Sequence, residues 1–196
     1  MAATAVRYLR SVGASTVAEP VEALPRPDLR AVGEDERLPL DGAEFRRVLG
    51  HFASGVTVIT ALDDEGPAGF ACQSFASLSL DPPLIAFMVA RTSTTWPRIA
   101  QAGTFCVNIL GAEQGTLCRG FAVSGGDKFA GVTYDAAPSS GAPRLDGVPA
   151  WLDCTIHAVH TGGDHLIVVG RVDALGATEA GEPLLFHQGK FGQFQA

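Results

Sequence analysis

The sequence has few basic residues: Lys and Arg total 14 of its 196 residues, against 21 Asp and Glu, and the formal net charge is −7. A surface that follows nucleic-acid phosphates needs the opposite balance of charge, so nucleic acid is not an expected partner. An anionic small molecule stays open as a ligand, because a local site can be positive on an acidic protein.

Cysteine is also scarce, with four residues at Cys72, Cys106, Cys118 and Cys154. No two of them have the Cys-x-x-Cys spacing of a zinc knuckle or a redox pair. Because three of the four lie in apolar stretches, we predict buried free thiols, as in a protein of a reducing compartment.

Long hydrophobic runs and nucleotide-binding motifs are absent from the sequence. No apolar segment approaches the ~20 residues of a membrane-spanning helix, and the N-terminus has no apolar core of a secretory signal. We therefore expect a cytoplasmic protein without membrane association. The glycine patterns of Rossmann dinucleotide sites and of P-loops are also missing, as is the nucleophile elbow of hydrolases.

The sequence is rich in glycine and proline, with 23 and 12 residues, and has few long helical patterns. This composition indicates many turns and hence many short strands. We predict strands at 56–60, 68–80, 84–90, 105–110, 151–160, 165–175 and 184–186, and later helices at 95–102 and 112–121. Since most of these strands are not separated by crossover helices, we predict a mainly β fold: an antiparallel sheet closed into a small barrel, with helices at its edges.

The chain before the first predicted helix differs from the rest, because residues 1–38 carry several prolines and no sustained periodicity. We predict a flexible N-terminal arm followed by a single domain over residues 39–196; an arm that wraps a partner subunit is the alternative. The domain should begin with a helix that Asp41 and Glu44 open as a capping box and Gly55 closes. One face of this helix is apolar, at Phe45, Val48, Leu49 and Phe52.

A run of polar and apolar residues from Ala71 to Pro83 includes Ser74, Ser77 and Ser79. Hydroxyls and backbone amides at a strand end can hold a phosphate or a polyol without net charge. The run is equally consistent with a strand that has a polar outer face.

Two further clusters could hold an anion. Thr92 and Ser93 follow Arg91 where an apolar strand meets a helix start, and helix N-terminal amides attract anions. The alternative is plain capping of the helix by Ser93 or Thr95. In a glycine-rich loop, Lys128 could reach a phosphate and Phe129 could cover a ring; the alternative is a surface loop with a packed aromatic.

Three histidines, His157, His160 and His165, raise the question of a metal site. Residues 157 and 160 of one strand point to opposite faces, because the side-chain period of a strand is two. A shared ion is therefore disfavoured, and we predict no metal site.

Seven short segments follow one another along the chain: 55–60 (GVTVIT), 74–83 (SFASLSLDPP), 92–96 (TSTTW), 105–110 (FCVNIL), 127–131 (DKFAG), 163–165 (GDH) and 183–186 (PLLF). In this order and spacing, the chain from about Phe45 to Phe194 resembles the short-chain flavin reductase family. These proteins are reductase components of two-component flavin-dependent monooxygenases. Each segment alone is a weak signal, and the combination is specific.

The resemblance implies an FMN-binding split barrel of Greek-key type, a homodimer with FMN or FAD near the subunit interface, and NADH or NADPH as hydride donor. It implies that His165 faces the nicotinamide side, whereas on spacing alone His165 would be a hairpin residue satisfied by Asp164 or by the backbone. Ala71 replaces a threonine of the family pattern, which removes one hydroxyl contact. We assign flavin contacts to Gln73, Ser74, Phe75, Ser77, Ser79, Arg91, Thr92, Ser93, Trp96, Lys128, Phe129 and Phe191.

The function implied is an NAD(P)H-dependent flavin reductase that supplies reduced flavin by diffusion to a partner oxygenase. Hydride transfer needs the two rings stacked, and the cofactors carry the electronic chemistry. The alternatives are a non-catalytic flavin carrier and a barrel that binds another ligand. A pyridoxamine phosphate oxidase on the same barrel would need a more cationic phosphate pocket than the motif segments offer.

Overall fold

The computed structural model describes residues 41–178 and 181–194, so the predicted arm over residues 1–38 lies outside the described residues. Within these ranges the helices are α1 (Gly42–Leu49), α2 (Trp96–Ala102) and α3 (Gly115–Ala122), with a 3-10 turn at Ala112–Gln114. The strands are β1 (Ser54–Gly55), β2 (Thr57–Asp63), β3 (Gly66–Cys72), β4 (Phe75–Leu80), β5 (Pro83–Ala90), β6 (Thr104–Ile109), β7 (Tyr134–Ala136), β8 (Pro143–Leu145), β9 (Ala150–Gly162), β10 (His165–Ala177), β11 (Leu184–His187) and β12 (Lys190–Gln193).

Seven strands form one antiparallel sheet in the order β3-β2-β6-β9-β10-β5-β4. β3 and β4 follow each other in the chain but are the two outer strands, and β3 also contacts β5. The sheet therefore curls until its ends approach each other. Smaller sheets are formed by β1-β11-β12 and by β7-β8. The predicted antiparallel, mainly β fold class is confirmed.

The structure corrects three predicted elements. The extended stretch 68–80 is two strands, β3 and β4, because the chain must pass from one edge of the sheet to the other at Gln73 and Ser74. The segment 123–149, for which no strand was predicted, contains the β7-β8 hairpin, and β11 is followed by β12. These short strands lack the β-branched alternation by which strands are usually recognised in a sequence.

The first helix begins as predicted but ends earlier. The Asp41 side chain accepts a hydrogen bond from the Ala43 amide at 3.1 Å, whereas Glu44 binds Arg47 at 2.7 Å and does not complete a capping box. The helix stops at Gly50 and not at Gly55. Its apolar face stays open within the described chain: no residue of α1 is buried, and the Phe45 side chain is 54% exposed.

A buried aromatic cluster joins β5 to α2. The ring of Phe87 packs edge-on against Phe105 at 5.3 Å and against Trp96 at 6.2 Å. Arg98 of α2 also binds the carboxylate of Asp63, at the end of β2, with distances of 2.6 and 2.8 Å. Core packing and this ion pair fix both sides of the turn at residues 91–95.

The four cysteines are buried and none forms a disulfide, so the predicted burial of the thiols is confirmed. Burial raises the pKa of Cys106 to about 12 and raises the pKa of Cys154 as well, because the thiolate would lose its hydration. In the described part of the chain no helix is long and apolar enough to cross a membrane.

Candidate functional site

A cleft of about 950 Å³ opens where the chain passes from β3 to β4. Its walls are this junction, the end of β5, the turn at residues 92–95, the loop after α3 and the end of α1. Of the thirteen residues assigned from the sequence, the structure brings together seven here: Gln73, Ser74, Phe75, Thr92, Ser93, Lys128 and His165.

The β3–β4 junction is held to β5 by Ser74. Its hydroxyl donates to the Met88 carbonyl oxygen at 2.9 Å and accepts from the Met88 amide at 3.2 Å. The neighbouring Gln73 is exposed, lines the cleft and has no side-chain partner among the described residues. The Ser74 hydroxyl is thus engaged by the protein itself, while the amide group of Gln73 remains available to a ligand.

In the turn before α2, one hydroxyl group is also hydrogen-bonded within the protein. The Ser93 hydroxyl accepts a hydrogen bond from the Trp96 amide at 3.2 Å, which is the capping role given above as the alternative. Thr92 and Thr94 line the cleft and have no side-chain hydrogen bond to the residues that the structure describes. The Thr92 and Thr94 hydroxyls are therefore available donors of this turn.

Lys128 reaches the cleft from the loop after α3. Its ammonium group donates to the carbonyl oxygens of Gly69 and Phe121, both at 3.2 Å. Burial lowers the pKa of Lys128, since part of its charge is removed from water and no described carboxylate is paired with it. An ammonium group has three protons, so one remains to bind an anion in the cleft.

His165 is the first residue of β10, at the end of the β9–β10 hairpin. Its Nδ1 lies 2.7 Å from the Asp164 carboxylate, and this bond lowers the pKa of Asp164. A carboxylate accepts only, so the neutral ring carries its proton on Nδ1 and leaves Nε2 as an acceptor. The opposite edge of the ring has no partner in the described chain. The predicted contact with Asp164 exists, and it orients the ring without using Nε2.

The other six assigned residues lie outside the cleft: Ser77, Ser79, Arg91, Trp96, Phe129 and Phe191. Trp96 is buried in the core, and Phe129 packs edge-on against Phe121 at 5.1 Å. Phe191 packs against Phe186 at 5.8 Å, beside Gly115. These aromatic side chains are engaged in packing within the subunit.

Leu49, Phe52 and Ser54 are among the cleft residues that were not assigned from the sequence. Leu49 and Phe52 enter it from the end of α1, and Phe52 is 78% exposed. The Ser54 hydroxyl is buried and has no partner among the described residues. The helical spacing of the apolar residues was visible in the sequence, but nothing there directed them to the cleft. Ser54 directly precedes the matched segment 55–60 and carried no signal of its own.

The three histidines do not form a metal site in the described ranges, where no group of three His, Cys, Asp or Glu side chains could hold an ion. His157 lies at an irregularity of the β9–β10 pairing, since Ile156 pairs with Gly170 and Ala158 with Val169. The extra residue of a bulge disturbs the strict alternation on which the opposite-face argument rested.

Comparison with known proteins places these features in a family. Residues 49–195 match the model of the flavin reductase like domain. The chain belongs to the flavin reductase family. The resemblance stated from the sequence motifs is thereby confirmed.

Among curated relatives, the reductase subunit HsaB of a flavin-dependent monooxygenase from Rhodococcus jostii is 47% identical over 78% of this chain and 77% of its own length. A flavin reductase from Pseudomonas putida is 44% identical over 85% of this chain and 98% of its own. Among solved structures, the NADH:FAD oxidoreductase SgcE6 of Streptomyces globisporus matches with a TM-score of 0.76 and 38% identity, over 81% of this chain and 96% of that one. The family fold predicted for the domain is therefore present.

Proposed function

We propose that this protein is an NADH-dependent flavin reductase whose flavin and nicotinamide rings stack in the cleft beside Gln73. One observation carries the proposal: polar groups of four separate chain segments converge on one cleft without partners among the described residues. These groups are the Gln73 amide, the Ser54 hydroxyl, one proton of Lys128 and the Nε2 of His165. The Ser54 hydroxyl is the buried group of this set, and a buried polar group without a partner costs about 1–3 kcal/mol, which a ligand that satisfies it would relieve.

The cleft suits a flavin in size and in the character of its walls. A volume of about 950 Å³ is in the range of small-molecule sites, and the walls combine apolar side chains such as Leu49 and Met88 with a few polar groups. Lys128 is the only lysine or arginine in the described lining. One cation suits a single phosphate group. A pyridoxamine phosphate oxidase would need a more cationic pocket, so this lining does not favour that activity.

The residues of the chain bind the flavin and the nicotinamide and orient them, and the reaction needs no acid–base pair of side chains. A bound flavin accepts a hydride from a reduced nicotinamide, and the cofactors supply this chemistry. Lys128 would hold the flavin phosphate, and Gln73 would donate to the ring edge where negative charge develops on reduction. His165, fixed by Asp164, would orient the nicotinamide against the flavin.

We also propose that the functional unit is a homodimer and that α1 contributes to its interface. Phe45, Val48 and Leu49 lie on one face of α1, and each is more than half exposed in the described chain. An open apolar face next to a ligand site is typical of a subunit interface. Light scattering should show a dimer, and Val48→Asp should shift it towards the monomer; a monomeric unsubstituted protein would contradict the proposal.

The partner proposed is an oxygenase that receives reduced flavin by diffusion. HsaB and related proteins are named as reductase subunits of flavin-dependent monooxygenases, which supports such a partner for this chain. Four free thiols support a cytoplasmic location, where thiols stay reduced.

The decisive experiment follows the absorbance of NADH and NADPH when the protein is mixed with FMN or FAD under air. Loss that depends on both protein and flavin would establish the reductase and identify the preferred pair. Flavin binding without loss of either nicotinamide would favour the carrier that the sequence left open. A protein that takes up no flavin would contradict both functions.

A further inference from the structure

A second cavity, of about 860 Å³, adjoins the cleft and shares Leu49 and Gln73 with it. One wall is α1 with the residues that follow it, and the other is the turn between β11 and β12. The proposed function leaves this cavity without an occupant.

The lining of this cavity is positive although the protein as a whole is acidic. Arg46, Arg47 and His51 line it, and no aspartate or glutamate does so in the described chain. Arg47 binds Glu44 through two contacts of 2.7 Å, which balance its charge. The Arg46 side chain has no hydrogen bond or ion pair with any residue that the structure describes. An unbalanced guanidinium in such a cavity is suited to a phosphate group.

Arg46 and Lys128 are placed in different cavities. Lys128 lines the cleft and is bound to carbonyl oxygens of β3 and of α3, whereas Arg46 lines the adjoining cavity. The charge of Arg46 also contributes to lowering the pKa of Asp164, the carboxylate that holds the His165 ring.

We propose that the cavity beside α1 binds the pyrophosphate of the nicotinamide dinucleotide, with Arg46 as its cationic contact. The inference rests on the proposed function, since it places the nicotinamide ring at His165. The rest of the same ligand would continue into the adjoining cavity, whose lining shares Leu49 and Gln73 with the cleft. Arg46 would then determine the affinity for the dinucleotide and not the rate of hydride transfer.

The test compares two hydride donors in the full-length protein: NADH, and 1-benzyl-1,4-dihydronicotinamide, which has the ring but no phosphate. Arg46→Ala should raise the KM for NADH about tenfold, the value of one charge-assisted hydrogen bond, without a matching loss of kcat. The same substitution should leave the benzyl donor and the KM for flavin unaffected. Arg46→Lys should recover part of the NADH affinity, because the charge is kept.

Arg171→Ala is the matched control, since it removes an exposed arginine that binds Asp173 on β10 and lines neither cavity. An unchanged KM for NADH in Arg46→Ala would overturn the inference while leaving the reductase intact. An equal loss with both donors would overturn it too, because it would show a structural role. If neither donor reduces flavin with the unsubstituted protein, the proposed function itself fails.

Discussion

Replacement of Lys128 by methionine removes the one lysine or arginine of the described cleft lining while keeping the length of the side chain. Two bonds within the protein are lost, to the carbonyl oxygens of Gly69 and Phe121, along with the third proton that we assign to the flavin phosphate. The substitution therefore has a structural effect and a ligand effect, and the two must be separated.

The structural effect is set by the two lost bonds. A net contribution of about 1 kcal/mol for each predicts a loss of about 2 kcal/mol in the free energy of unfolding. The ligand effect is one charge-assisted hydrogen bond of about 1.5–3 kcal/mol, which corresponds to about a ten- to hundredfold rise in the Kd for FMN. Both effects are measurable, but a weaker Kd for FMN alone would not distinguish them.

Riboflavin separates the structural effect from the ligand effect, because it has the ring and the ribityl chain of FMN without the phosphate. Titration of flavin fluorescence with the Lys128→Met protein should show the large loss of affinity for FMN and little change for riboflavin. Lys128→Arg should retain part of the FMN affinity. Burial already lowers the pKa of Lys128, so the affinity for FMN should weaken as the pH rises through that pKa and the ammonium group loses its proton.

An equal loss of affinity for FMN and riboflavin would refute the reasoning. It would mean that Lys128 shapes the cleft through its carbonyl contacts and does not bind phosphate. Unchanged affinity for FMN would place the phosphate elsewhere, with the Thr92 hydroxyl as the next candidate.

Three further predictions concern other parts of the molecule. His165→Ala should raise the KM for NADH about tenfold and alter the Kd for flavin much less, and equal losses would contradict a nicotinamide-positioning role. The native thiols should resist a disulfide reagent until the protein is unfolded, when all four react; a fast-reacting native thiol would contradict their burial. Asp63 has a pKa lowered by Arg98, so its stabilising effect is present above the pKa of the unfolded carboxyl and is lost as the pH falls through the folded value. The difference in unfolding free energy between the unsubstituted protein and Asp63→Asn should therefore shrink towards acid pH.

Much of the fold could be predicted because its strong elements carry local signals. The run of apolar residues from Leu84 to Ala90 predicted β5, and Gly162 and Gly163, at the end of β9 and in the turn after it, favour a hairpin. Pro97 and Gly103 marked both ends of α2: the proline lies in its first turn, and Gly103 closes it with a φ of 70°. Each of these signals acts over a few residues, so no knowledge of the tertiary structure was needed.

The break between β3 and β4 had no such signal. Residues on both sides of Gln73 and Ser74 are extended, and only the sheet order shows that the two strands lie at opposite edges. The exposed face of α1 is a similar case. Its periodicity predicted a helix correctly, yet periodicity does not say whether an apolar face packs inward, borders a ligand cleft or meets another chain.

The hydroxyl groups show why residue type alone could not define the site. Ser74 and Ser93 were assigned to the flavin because hydroxyls can hold a polyol or a phosphate, but the first binds the backbone of β5 and the second caps α2. Gln73, next to Ser74, and Thr92, next to Ser93, keep their side chains available. At each turn one side chain holds the backbone in place and its neighbour faces the cleft, so the fold decides how the roles are divided within each stretch. A ligand contact at Gln73 should therefore be sensitive to Ser74→Ala, which frees the junction, even though the Ser74 hydroxyl is bound within the protein.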